Sequence, residues 1–193
     1  MPMNLIHRRL CSSEKWASMI AQVLPPWLAQ YDLGDDVLEI GPGFGATTRV
    51  LLDAVPRLTL LEIDPASAGL LRSEFGSRAE VAEGSGADMP FDAGRFSAVV
   101  CFTMLHHVPT ADLQDSIFSE AFRVLRPGGV YCGTDSQLSF RFRLLHLGDT
   151  MNVVDASTLP ARLSAAGFGE VDVKHRPKER LEFSAVKPVS TDR

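Results

Sequence analysis

Three glycines on alternate positions, Gly41, Gly43 and Gly45, follow a strand-like stretch, 37–40, and precede a helical pattern. A turn of this kind lets the main chain approach a ligand with no Cβ in the way. Gly41-x-Gly43-x-x-Ala46 meets the dinucleotide fingerprint, and Glu62 lies about 20 residues on, where a carboxylate would accept hydrogen bonds from both ribose hydroxyls. The pair points to a nucleoside-containing ligand. A second place for chemistry is His106-His107. Adjacent histidines rarely point at one ion and no carboxylate lies at ligand spacing, so no metal is expected. One ring is expected to be packing; the other is a candidate general base, because imidazole titrates near neutral pH. His106 is the first choice and His107 the second. The three cysteines, Cys11, Cys101 and Cys132, have no metal-ligand spacing, and two lie in apolar runs that suit buried thiols.

These residues need a scaffold, and hydrophobic periodicity supplies one. Trp16, Met19, Ile20, Val23, Leu24, Trp27 and Leu28 make a helical stripe capped by Ser12 or Ser13, with Pro25-Pro26 expected to break it. Strands are expected at 37–40, 57–63, 78–84, 96–105 and 130–134, with helices at 46–55, 64–75 and 110–125 between them. Asp64-Pro65 reads as an N-cap followed by proline at the first helical position. Arg126-Pro127-Gly128-Gly129 reads as a sharp stop. Residues 136–154 are compatible with helix or loop. A helix over 159–166 and two alternating strands, 170–176 and 180–187, complete the chain; their connection is too short for a crossover helix, so they must be antiparallel. Five β/α units followed by a hairpin give a doubly wound α/β sheet of seven strands, mostly parallel with an antiparallel last strand and helices on both faces. In such sheets ligands sit beyond the carboxyl ends of the strands where strand order reverses, which is where the glycine turn falls.

A chain of 193 residues suits one well-cored domain, and 45% hydrophobic with 22% charged residues is ordinary for a globular protein. A net charge of −5 gives no electrostatic reason to expect nucleic acid as a partner. No apolar run approaches a membrane span, and Arg8, Arg9, Glu14 and Lys15 interrupt anything like a signal peptide. A cytoplasmic protein is expected, with no membrane partner and an oligomeric state that composition leaves open.

The segments VLEIGPGFG, LLEIDP, ADMPFDAGRFSAVV, MLHHV and RVLRPGGVY occur in the order and spacing seen in class I S-adenosylmethionine-dependent methyltransferases, and the chain resembles the small-molecule branch of that family over roughly residues 34–187. The resemblance implies a Rossmann-like domain over 34–193 preceded by a helical cap or lid over 1–33. It implies S-adenosyl-L-methionine as cofactor, with Gly41, Pro42, Gly43 and Gly45 against its methionine and ribose parts and Glu39 ordering the amino-acid end. Glu62 matches the ribose-binding acid, Ile63 is expected to pack on the adenine, and the Phe102 carbonyl to receive the ammonium. Family members often have an acidic residue and alanine after the third strand. Here the pair is Ser85-Gly86, followed by Ala87 and Asp88, so the adenine amino group is left to the Ser85 hydroxyl, to Asp88 or to water.

Methyl transfer to a small-molecule acceptor at O, N or C is the activity this implies. Asn/Asp-Pro-Pro-Tyr and Pro-Cys segments, which mark enzymes methylating nucleic-acid amino groups or cytosine carbon, are absent. Residues 1–30 and 136–154, with Trp16, Phe140, Phe142, Leu144, Leu145 and Met151, are expected to shape the acceptor side. Two alternatives use the same glycines: a nicotinamide-dependent reductase, although only about 60 residues remain after the fifth strand for a substrate domain, and a non-catalytic S-adenosylmethionine-binding protein.

Overall fold

The computed structural model describes residues 4–189. Seven strands, β1 (Val37–Ile40), β2 (Leu58–Glu62), β3 (Glu80–Glu83), β4 (Phe96–Phe102), β5 (Leu125–Ser136), β6 (Gly169–Arg176) and β7 (Arg180–Val186), form one sheet in the order β3-β2-β1-β4-β5-β7-β6. The pairs among β1 to β5 are parallel, and β7 runs antiparallel to both β5 and β6. Only the last strand of the chain is reversed, as the short hairpin requires. Strand order turns back between β1 and β4, at the glycine turn.

Helices cover both faces: α1 (Leu5–Cys11), α2 (Glu14–Leu28), α3 (Ala46–Ala54), α4 (Pro65–Phe75), α5 (Ala111–Val124), α6 (Phe140–Leu145) and α7 (Leu159–Ala165). One core packs Ile117, Phe118 and Ala121 of α5 and Leu159 and Leu163 of α7 on Leu38, Val99, Tyr131 and Phe183. The other packs Leu24, Trp27 and Leu28 of α2, Leu51 of α3 and Leu71 and Phe75 of α4 on Val37, Leu60, Val100 and Cys132. β1 is buried at every position because helices lie on both of its sides. Cys101 and Cys132 are free, buried thiols, and burial pushes both up out of the reactive range. Among the described residues no helix is long and apolar enough to cross a membrane.

The expected break at Pro25-Pro26 does not occur, since α2 runs through both prolines to Leu28. The two missing N–H groups leave the carbonyls of Ala21 and Gln22 without helical partners, but both residues are exposed and water can serve them. Burial of Leu24, Trp27 and Leu28 holds the final turn in place. Strand β5 starts at Leu125 rather than 130. The Arg-Pro-Gly-Gly stretch is an irregular strand start: Gly128 has φ +81° and donates to the Lys187 carbonyl at 2.8 Å, while the pairing with β4 shifts register between Phe96 and Ala98. Helix α1, capped by the Asn4 side chain, and α6 within 136–154 are further elements.

Candidate active site

The glycine turn begins where β1 ends. Gly41, Gly43 and Gly45 all have left-handed backbones, with φ of +65°, +56° and +73°. Gly45 donates to the Pro42 carbonyl and caps α3. The three serve different ends. A Cβ on Gly43 would meet nothing within 4 Å, so that backbone faces open space. A Cβ on Gly45 would lie 2.5 Å from the Phe75 ring, so there glycine lets α3 and α4 pack. One on Gly41 would press on Met104.

Two carboxylates back the turn. Glu62, at the end of β2, accepts N–H bonds from Gly43 at 3.2 Å and from Asp64 at 3.0 Å. Glu39 is 1% exposed and takes the hydroxyls of Thr47 and of Thr48, the latter at 2.7 Å. Burial pushes its carboxyl up to about 7, against the lowering effect of the two hydroxyls and with a smaller raising contribution from Glu62. Ile63 is exposed beside Glu62, an apolar side chain left at the rim. The loop after β3 closes on itself: the Ser85 hydroxyl accepts from the Ala87 N–H and a bridge joins Ser85 to Asp88. A Cβ on Gly86 would press on Ile40 at 3.0 Å, which brings this loop against the end of β1.

Beyond the turn lies a cavity of about 550 Å³. Gly41, Pro42 and Gly43 form one wall, together with Phe44 and Thr47. Phe102, Thr103 and Met104 at the end of β4 form another, followed by His106 and His107. Thr103 has φ +50°, a left-handed backbone costly for a β-branched residue, and its N–H is held by the Thr134 carbonyl at 2.7 Å. Leu10, Cys11, Trp16 and Ile20 of the two N-terminal helices lie over the cavity, and Phe142, Leu145 and His146 close its far side. Of the residues singled out from the sequence, Gly41, Pro42, Gly43, Phe102, His106 and His107 meet in this cavity with Trp16, Phe142 and Leu145, whereas Phe140, Leu144 and Met151 do not line it, Phe140 and Leu144 being exposed. Glu39 lies behind Thr47, while Glu62, Ile63 and the 85–88 loop stand outside it at the carboxyl ends of β2 and β3.

The 3₁₀ turn Leu105–His107 orients the two histidines differently. His106 is 2% exposed; its Nδ1 is hydrogen-bonded to the Asp135 carboxylate, which also accepts its backbone N–H at 2.9 Å. Asp135, fully buried, takes a further N–H from Ser136. His107 is depressed to about 3 by burial first and then by His106, His7 and His146, so its ring is neutral. Sequence reasoning missed His7, His146 and Arg180, which reach the cavity from distant parts of the chain, and Asp135, which is buried behind His106. Arg180, in the wall, is paired with Glu182 at 2.6 Å, and Glu182 also accepts the Trp27 indole N–H at 3.2 Å, which ties α2 to β7.

The groups present suit a nucleoside carrying positive charge: a bare backbone opening at Gly43, two carboxylates behind it and a cavity continuing past it. The model of a family described as a methyltransferase domain matches residues 37–129, which spans β1 through the start of β5. A probable S-adenosylmethionine-dependent methyltransferase of Mycolicibacterium smegmatis is 28% identical over 165 residues, covering 77% of this chain and 63% of that protein. Erythromycin 3''-O-methyltransferase of Saccharopolyspora erythraea is 35% identical over 73% of this chain and 53% of its own length. Ribosomal RNA small subunit methyltransferase A of Chlorobium phaeobacteroides matches over a shorter stretch, 25% of this chain and 19% of that protein. The chain thus spans less than two thirds of the length of these relatives. A solved structure from Pyrococcus horikoshii superposes with a TM-score of 0.77 at 17% identity, covering 92% of this chain and 93% of that one.

Proposed function

Because the chain belongs to the class I S-adenosylmethionine-dependent methyltransferases, we propose that it transfers a methyl group to a small-molecule acceptor held in the cavity between the glycine turn and helices α1 and α2. One observation carries this reading: the cavity, about 550 Å³, opens on the Gly43 backbone and is roofed by Trp16 and Ile20. That volume is the size of an ordinary small-molecule site. A roofed chamber suits a compact acceptor better than a folded polymer, and a relative matched over 73% of the chain is named erythromycin 3''-O-methyltransferase.

The cofactor, when bound, supplies a methyl group on a sulfonium, which is electrophilic without further activation. Gly41, Pro42 and Gly43 would cradle it from one side, Glu62 would take the ribose hydroxyls and Ile63 would cover the adenine. Glu39 would act through Thr47, whose hydroxyl it holds. The apolar walls from Trp16, Ile20, Phe142 and Leu145 exclude water, and alignment inside such a chamber supplies much of the rate.

An acceptor with a proton to lose needs a base, and His106 takes that role. With Nδ1–H committed to Asp135, the lone pair is on Nε2, the atom that receives the proton. Asp135 fixes the ring's orientation and tautomer.

Release of S-adenosylhomocysteine tests the reading, measured with a panel of small hydroxyl, amine and carboxylate compounds and with ribosomal RNA. Turnover on a small compound that falls about 100-fold or more in His106→Ala supports it. Turnover on RNA alone would overturn the acceptor class.

A further inference from the structure

Four of the five histidines in the chain face one cavity, and base catalysis uses only one of them. His7 comes from α1, His107 from the 3₁₀ turn and His146 from the residue after α6. One ring nitrogen of each lies within 4.8 Å of those of the other two. We propose that His7, His107 and His146 bind a divalent transition-metal ion, zinc(II) by their ligand type, with an open coordination position facing the acceptor cavity. This departs from the expectation of no metal drawn from the adjacent histidines alone. His106 is held by Asp135 and is not a ligand; its neighbour joins two rings from elsewhere in the chain.

The orientation of the rings carries the inference. His146 Nδ1 lies 2.8 Å from the Phe142 carbonyl, which can only accept, so Nδ1 bears the hydrogen and Nε2 the lone pair. That Nε2 is buried with no hydrogen-bond partner, and His146 as a whole is 4% exposed. An orphaned buried acceptor is costly and calls for an explanation. His7 Nδ1 is 2.9 Å from Asp149, and Asp149 is held in turn by the Asn4 N–H at 2.6 Å. A carboxylate on Nδ1 of one ring and a backbone carbonyl on Nδ1 of another leave the opposite ring nitrogen of each for a metal, the pairing that metal-ligating histidines use. No hydrogen bond to the His107 ring is present among the described residues.

Ring packing explains part of the cluster, since His7 and His146 meet at 4.3 Å between centroids and His7 and His107 stack at 5.2 Å. Packing does not satisfy Nε2 of His146. A zinc–nitrogen bond of about 2.0–2.1 Å brings tetrahedral ligand nitrogens closer together than 4.8 Å, so the rings must swing inward slightly. Three imidazoles without carboxylate favour zinc and its neighbours over magnesium or calcium.

Three protein ligands leave a position for an acceptor oxygen or nitrogen. On the methyltransferase reading, which this part of the inference rests on, a hydroxyl bound there is acidified by the metal. Its proton passes to His106 Nε2, the oxygen's electron pair bonds the methyl carbon, and the methyl C–S bond breaks with its pair left on the sulfur of S-adenosylhomocysteine. His106 lies beside two of the ligands, at 4.2 Å from the His107 ring and 5.0 Å from that of His146.

The test titrates zinc chloride into untagged, chelator-treated full-length protein by calorimetry, with cobalt(II) absorption as a second readout. One zinc per chain is expected, with cobalt bands of low coordination number. His146→Gln and His7→Ala should each weaken zinc at least tenfold, while His175→Ala, on exposed β6, should not. Thermal unfolding identifies any variant that fails to fold, and the cobalt spectrum of the unmutated protein still decides the case. No stoichiometric zinc, or unchanged binding by folded His146→Gln, would overturn the site. S-adenosylhomocysteine is titrated into the same sample: zinc without the nucleoside refutes the methyltransferase reading and keeps the metal, and the nucleoside without zinc does the reverse.

Discussion

The Gly43 N–H donates to Glu62 Oε2 at 3.2 Å, so the residue expected to hold the ribose also holds the turn that approaches the cofactor. Its other oxygen holds the Asp64 N–H, and Asp64 caps α4 through Ser67. One carboxylate therefore couples the ends of β1 and β2. Glu62→Ala should weaken S-adenosylmethionine by about 1.5–3 kcal/mol, the scale of hydrogen bonds to a charged group. Calorimetry giving unchanged affinity in the folded variant would remove Glu62 from the site.

Neighbouring glycines separate binding from folding. Gly43→Val should abolish cofactor binding and leave most of the fold, because its side chain enters open space, at the cost of a strained left-handed backbone. Gly45→Ala should instead lower stability, as its Cβ would overlap the Phe75 ring. Paired melting and binding curves check this. Normal binding by Gly43→Val would mean that the turn faces away from the ligand.

Glu39 makes stability pH-dependent. Its carboxyl stands at about 7 in the fold against 4.5 as the reference value. Between those values the folded state keeps a proton that the unfolded chain has lost, so its contribution is full below 4.5 and falls as pH rises through 7. Glu39→Gln has no such loss. Relative to the unmutated protein it should gain stability between pH 4.5 and 8, on the order of 3 kcal/mol at most. Urea unfolding at pH 5 and pH 8 measures the difference; the same gap at both would contradict the assignment.

Helix α2 is divided in its role. Leu24, Trp27 and Leu28 are built into the core, and Trp27 is bonded to Glu182. Trp16 and Ile20 lie over the cavity, and Met19 is exposed. If residues 5–23 act as a lid, S-adenosylhomocysteine should slow their hydrogen exchange and leave 24–28 unchanged. Identical exchange throughout 5–23, in a sample that binds the ligand, would make the whole segment a fixed element.

What the sequence disclosed was local. The glycine turn, the Asp64-Pro65 cap and the buried strand 96–102 each declare themselves within about a dozen residues, and the sheet follows from their order. Pro25 and Pro26 misled because tertiary burial of Trp27 outweighs two lost hydrogen bonds on an exposed face. Helices α1 and α6, of seven and six residues, are too short to carry a period. On the acceptor side the two segments were legible, since Trp16, Phe142 and Leu145 do line the cavity, but their partners were not. His7 meets Asp149 across 142 positions and Trp27 meets Glu182 across 155, and no spacing rule spans such separations.

The central claim is that the glycine turn serves S-adenosylmethionine. The most direct measurement is calorimetric titration of the full-length protein with S-adenosylhomocysteine, NAD and NADP in parallel. The account predicts one S-adenosylhomocysteine per chain, lost in Gly43→Val, and no heat from either dinucleotide. Saturable binding of NAD or NADP with none of S-adenosylhomocysteine, by protein shown to be folded, would contradict it.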